Sequence, residues 1–202
     1  DPFGLSVLES FKASLAKRKI EAVGIASTPG TASLDVDAAA KQLAKLPVQV
    51  LVMSLAGTTP AFYQAYRSAG GASMCFGLSV GGTAANIAQM AKSADRPIFS
   101  VVVPAPNAQK FEIVRQYRRD MQASGFEGES LVSLEGYVDA FVLAEGMRRA
   151  GPKVDRDSLM AGLETMSNFD IGGVRMNFGK GMRQGNTYTD IVTVDANGRL
   201  IS

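Results

Sequence analysis

The chain has 202 residues, 46% apolar and 20% charged, with a net charge of +2. Those values describe a globular protein of one large domain or two small ones, not a disordered chain. Acids and bases are scattered, so no basic block points to nucleic acid or an anionic membrane surface, and no apolar run reaches membrane-spanning length. Histidine is absent, which removes the usual general base, the Ser-His-Asp triad and most zinc and iron sites. The one cysteine, Cys75, cannot pair internally and reads as a buried thiol in the apolar run "SMCFG". The sequence opens on "DPFG" without an initiator Met and reads as a mature or truncated piece. Its lack of a signal peptide therefore carries no information about compartment.

Taken in order, Leu5 to Lys17 predicts an amphipathic helix, with Leu5, Leu8, Phe11 (or the stem of Lys12) and Leu15 at helical spacing. "IEAVGIA", Ile20 to Ala26, predicts a short strand, and "STPGTAS" a loop built on Pro29 and Gly30. Asp35 or Asp37 caps a helix running to about Lys45, which Pro47 ends. "VQVLVMS" is a strand whose continuous apolar run suits burial on both faces of a parallel sheet. Pro60 suits the first turn of the next helix, which runs to Gly70 and Gly71. "SMCFGLS" is a third strand, Thr83 to Lys92 a helix, and Pro97 to Val103 a fourth strand. This alternation predicts an α/β fold: an open parallel sheet with helices on both faces.

The pattern changes near "VVVPAPNAQ", the expected boundary between residues 1–103 and 104–202. Helices are expected over 107–124 and 130–150, and a third one, capped by Asp155 or Asp157, reaches about Met166. A small antiparallel region follows, with "GGVRMNFG", "TYTDIVTV" and "RLIS"; Asn197-Gly198 marks a hairpin.

Ligands of open α/β sheets collect beyond the carboxyl ends of the strands. Two turns are expected there. In Ala56-Gly57-Thr58-Thr59, either threonine suits the N-cap of the following helix, a role compatible with a ligand wall because helix N-termini leave free N–H groups. "GLSVGGT", Gly77 to Thr83, lacks the dinucleotide and Walker spacings and reads as a flexible strand-to-helix turn, with Ser79 pointing into the crevice. Glu135 and Tyr137 read as a first-turn acid and a packing ring. Asp155 and Asp157 suit caps better than metal ligands, and the nine methionines suit core filling. No residue set reads as catalytic, and no cofactor or metal is implied. An α/β enzyme using Asp, Lys or Tyr is the competing class; the lack of His, of a nucleophile elbow and of a cofactor fingerprint counts against it.

Five segments in order carry a resemblance: "DPFGLSVLESFKASLAKRKIEAV", "DAAAKQLAKLPVQVLVMSLAGTTPAFYQAYRSAG", "FGLSVGGTAANIAQMA", "VVVPAPNAQKFEIVRQYRR" and "SLEGYVDAFVLAEGMRRAG". Together they resemble the type I periplasmic solute-binding proteins of the leucine/isoleucine/valine-binding class, the receptors of ABC importers. The match covers nearly the whole chain, but the family's first lobe has no counterpart here. The resemblance implies that residues 1–103 form the second ligand-binding lobe, and that 104–202 return to the first lobe and hinge. It places Phe3, Gly57, Thr58, Thr59 and Ser79 at the ligand, with Leu131 or Val132 near a further wall position. Ser79 stands where amino-acid binders keep an acid for the ligand ammonium, which one neutral hydroxyl cannot match. The expected ligand is accordingly a small carboxylate or an aromatic or apolar metabolite, not a simple zwitterionic amino acid. The implied partners are that small molecule and the membrane subunits of an ABC transporter, in the periplasm. The alternative is a ligand-sensing domain of a transcriptional or signalling receptor. Helices 107–124 and 130–150, lacking a first lobe, are expected to expose apolar faces and to drive oligomerisation, unless the chain is part of a larger one.

Overall fold

A computed structural model describes residues 2–29, 35–93, 96–182 and 184–201. The chain divides into two compact units, Asp1–Ser100 with Thr193–Arg199, and Val101–Val192 with Leu200–Ser202.

The first unit starts with α1 (Pro2–Ala16), followed by α2 (Asp37–Ala44), β1 (Val50–Met53), α3 (Thr59–Ser68), β2 (Met74–Leu78), a single 3-10 turn (Ser79–Gly81), α4 (Ala84–Met90) and β3 (Ile98–Val101). β1 pairs in parallel with β2, Val50 opposite Met74, and β2 in parallel with β3, Phe76 opposite Ile98. The expected α/β fold with a parallel sheet is what forms. Strands β1 and β3 alternate: Leu51, Met53, Phe99 and Val101 are buried, and their neighbours are less so. Helix α3 buries Phe62, Tyr63 and Tyr66. The Tyr66 hydroxyl donates to Ser73 Oγ at 2.7 Å, and Ser73 Oγ donates to the Val48 carbonyl at 2.7 Å, so the α3–β2 link is fastened to the start of β1. Gly71 is required there, since a Cβ would lie 2.3 Å from the Tyr66 ring.

Two sequence expectations fail in this unit. Ile20–Ala26 joins no sheet: β1 is the terminal strand, and the segment has no ladder partner. A run of strand-forming residues is not a strand without a neighbour to bond. Gln42 Nε2 donates to the Ile25 carbonyl at 3.1 Å. Neither Asp35 nor Asp37 caps α2; Val36 holds the N-cap position and Asp37 lies in the first turn, where its charge suits the helix dipole. Part of the "STPGTAS" loop, residues 30–33, falls outside the described residues.

The second unit contains α5 (Glu112–Ser124), α6 (Leu131–Ala150), α7 (Arg156–Glu164), β4 (Phe169–Asp170) and β5 (Arg175–Met176); β6 (Asp190–Val194), whose last two residues belong to the first unit, and β7 (Leu200–Ile201) close the chain. The larger sheet has strand order β1-β2-β3-β6-β7, and β4 and β5 form an antiparallel pair. Helix α5 begins at Glu112, later than the sequence suggested, because 107–111 forms turns that place Phe111 at the N-cap. Ser130 and Ser133 form a reciprocal capping box on α6, and Asp155 and Ser158 do the same on α7. Helices α6 and α7 touch through glycines: a Cβ on Gly162 would lie 2.6 Å from the Gly146 carbonyl. Val132, Leu143 and Met147 on α6 are exposed.

Candidate functional site

Met53 ends β1, and the chain turns through Ser54–Thr58 into α3. Thr58 holds the N-cap position, yet its side chain makes no capping bond. The sequence favoured a threonine cap, and the local chemistry overrides it. Pro60 occupies N2 and has no N–H to donate, and Thr58 has helical rather than extended dihedrals (φ −85°, ψ −2°). Thr59 does not cap either. Fully buried, it turns its hydroxyl back onto the Ala56 carbonyl at 2.7 Å and lies 3.1 Å from the Leu55 carbonyl. Thr59 thus fastens the turn from within.

β2 ends in the turn Ser79–Gly81, and Thr83 caps α4 by accepting from the Asn86 N–H at 3.2 Å. The Asn86 side chain reaches further. Its Nδ2 donates to the Gly81 carbonyl at 3.0 Å and lies 3.4 Å from the Ala56 carbonyl. A single buried amide therefore holds the two candidate turns together. Sequence reasoning missed this residue; the visible signal was an Asn three residues after the helix-starting Thr83.

Phe3 and Thr58 line one cavity of about 570 Å3, and Phe3 is largely exposed at its edge. Gly57 is exposed beside it, with open space where a side chain would project. Ser79 is half-buried on the adjoining turn and is not among the lining residues. Ser54 was not singled out from the sequence. It lines the same cavity, and its hydroxyl is buried without a hydrogen-bond partner among the described residues. Glu21 is the one ionisable side chain in the lining. The site therefore offers hydroxyls, peptide groups, apolar surface and the single carboxylate of Glu21. No group of three or more His, Cys, Asp or Glu among the described residues could hold a metal ion.

In the second unit, the Tyr137 hydroxyl donates to Asp120 Oδ2 at 2.5 Å, and its ring meets Tyr117 edge-on. Burial pushes Glu135 above its usual range, with Asp139 adding repulsion. Tyr117 shares a 2.6 Å hydrogen bond with Ser133. The Tyr117 and Tyr137 contacts join α5 to α6, the packing role read for Tyr137; Glu135 lies beyond the first turn of α6, which holds no acid, so its reading as a first-turn acid fails.

An open α/β unit with hydroxyl-bearing turns at the carboxyl ends of parallel strands is the class of fold in which ligand crevices commonly form at those ends. The chain belongs to the periplasmic binding protein family, whose model matches residues 1–199. It is similar to a substrate-binding periplasmic protein from Ralstonia solanacearum (26% identity, TM-score 0.86), covering 100% of this chain and 58% of that one. An extracellular ligand-binding receptor from Verminephrobacter eiseniae is also 26% identical (TM-score 0.76), with 98% and 56% covered. A branched chain amino acid ABC transporter protein from Thermus thermophilus with bound valine shares the fold at 18% identity and TM-score 0.83, with 100% and 56% covered. No curated protein matches this sequence. The chain thus spans a little over half the length of these solved relatives, which are binding proteins rather than enzymes.

Proposed function

We propose that the chain supplies part of the substrate-binding component of an ABC importer, acting outside the cytoplasm. Residues 1–103 serve as the second ligand-binding lobe, and 104–202 lead toward a first lobe and hinge. Lobe closure on a small organic ligand presents the complex to the transporter's membrane subunits. The observation that carries this reading is the pair of turns at the ends of β1 and β2, tied by Asn86, in a chain of this family. On it, Phe3, Gly57, Thr58 and Ser79 face the ligand, and Thr59 supports Thr58 from behind.

The ligand is a small carboxylate or an aromatic or apolar metabolite. A relative with the same fold is described with bound valine and another as a fatty acid transporter protein, so the fold spans both polar and apolar cargo. Ser79, standing in place of an acid, favours the ligand without an ammonium, and Glu21 is the carboxylate against which that preference has to be tested. The exposed Val132, Leu143 and Met147 of α6 would be covered by the first lobe, or by self-association of a piece lacking it. Native mass spectrometry of the protein at its full natural length, followed by calorimetric titration with leucine, a 2-oxo acid and benzoate, tests the reading. Leucine bound more tightly than the other two would overturn the ligand class.

A further inference from the structure

The turn between β1 and α3 carries hydrogen-bond donors that the chain itself leaves unused. Thr58 is 6% exposed and lines the cavity. Its side chain makes no hydrogen bond among the described residues. The sequence Thr58-Thr59-Pro60 explains this: Pro60 at N2 has no N–H, and Thr58 has helical rather than extended dihedrals, so no backbone donor of the helix holds the hydroxyl. A buried hydroxyl is costly to leave without a partner.

The backbone of the turn follows the same pattern. The Thr59 N–H donates to the Ala56 carbonyl at 3.2 Å, and the Phe62 N–H to the Thr58 carbonyl at 3.0 Å. The N–H groups of Gly57, Thr58 and Ala61 have no acceptor among the described residues. They lie at the start of a helix of 10 residues, where the helix dipole favours negative charge.

Gly57 adds an independent observation. Gly77 and Gly81 are demanded by packing, since a Cβ would lie 2.9 Å from Phe99 on the first and 2.7 Å from Thr59 on the second. Gly57 has no such need: its φ lies outside the left-handed region, and an added Cβ would meet nothing within 4 Å. Nor is it a flexible joint, because the Thr59 hydroxyl and the Asn86 amide both hold the adjoining Ala56 carbonyl. Alanine at such a position stabilises a fold by narrowing the unfolded ensemble. A bare peptide there instead lets a group from outside the chain approach the backbone closely.

We infer that this turn binds a carboxylate of the ligand through the Thr58 hydroxyl and the free N–H groups of Gly57, Thr58 and Ala61, with Gly57 kept bare to admit it. The inference rests on the reading of this turn as a ligand wall, and it narrows the ligand to one that presents a carboxylate here. Neutral donors suffice, because hydrogen bonds to an ionised acceptor are about twice as strong as neutral ones. Glu21, in the same cavity lining, is the competing charge and would draw an ammonium instead.

Amide NMR of the protein at its full natural length, titrated with acetate as the carboxylate alone, tests this. The Gly57, Thr58 and Ala61 amides should shift saturably by about 100 mM, where a site of millimolar affinity is filled. Thr58→Val keeps the shape, removes the hydroxyl and should weaken acetate about tenfold. Thr58→Ser should recover most of that loss. Gly57→Ala should melt at the same temperature or higher, yet bind acetate less tightly; a lower melting temperature would return the glycine to the fold and overturn its assigned role. No saturable shift in the folded protein, equal shifts from chloride, or shifts from methylammonium but not from acetate would each overturn the inference. So would a Thr58→Val protein that binds acetate as tightly as the parent. Acetate reports on this turn alone, whereas the titrations with leucine, a 2-oxo acid and benzoate report on the complete ligand, so either reading can fail while the other stands.

Discussion

Gly81 sits so close to Thr59 that a Cβ on it would lie 2.7 Å from the threonine hydroxyl and 3.3 Å from the Leu55 carbonyl. The two strand-end turns therefore pack backbone against side chain, with no room between them. Gly81→Ala should cost about 1–3 kcal/mol, as overpacking does. The denaturant midpoint should fall with an unchanged slope. Thr59→Ala removes the clashing hydroxyl, so the double variant should be less destabilised than the sum of the two single changes. Strict additivity would show that the two turns are not in contact.

Asn86 bridges the same turns through its amide donors. Asn86→Ala leaves buried carbonyls without that donor and should cost about 1–3 kcal/mol. Asn86→Asp should be worse at neutral pH, because a carboxylate would face the Gly81 and Ala56 carbonyls. Acidification should restore part of the loss, since the protonated acid can donate. Urea titrations of both variants at pH 7 and pH 4 separate the two effects; equal behaviour at both pH values would refute the donor role.

If Ser79 faces the ligand, Ser79→Glu in the full-length protein should shift preference toward ligands carrying an ammonium. A charge-assisted hydrogen bond contributes about 1.5–3 kcal/mol, hence roughly tenfold or more in affinity. Phe3→Ala should weaken every apolar ligand without altering that charge preference, because it removes contact area only. Calorimetry on both variants reads this. Unchanged affinities for Ser79→Glu in a folded protein would remove Ser79 from the site.

Arg148 and Arg149 hold the Glu145 carboxyl well below its ordinary 4.5, at about 2, through their hydrogen bonds to it. A group depressed in this way stabilises the fold fully above its unfolded value. That contribution is lost as pH falls from about 4.5 through about 2. Replacing both arginines by glutamine should raise the Glu145 titration toward its ordinary range and flatten the acid limb of stability in that window. Carbon-detected NMR of the Glu145 carboxyl, beside urea midpoints across the same pH range, provides the check.

Much of the fold was legible because its signals are local. The apolar runs at Val50–Met53, Met74–Leu78 and Ile98–Val101, separated by helical patterns, specify parallel strands with crossovers. Asp155 followed by Ser158, and Ser130 followed by Ser133, carry their caps within one turn. The segment Ile20–Ala26 shows the limit of such reading: its composition specifies a strand, but strand formation depends on a neighbour, which only the tertiary arrangement supplies or withholds. The same holds at the site. The sequence placed hydroxyls at Thr58 and Thr59 after a strand, and it could not tell which faces outward. Pro60 and the carbonyls of Leu55 and Ala56 decide that, by removing a capping donor and drawing the Thr59 hydroxyl inward. The Asn86 bridge spans 30 residues to Ala56, so it exists only once both turns have been brought to the same end of the sheet.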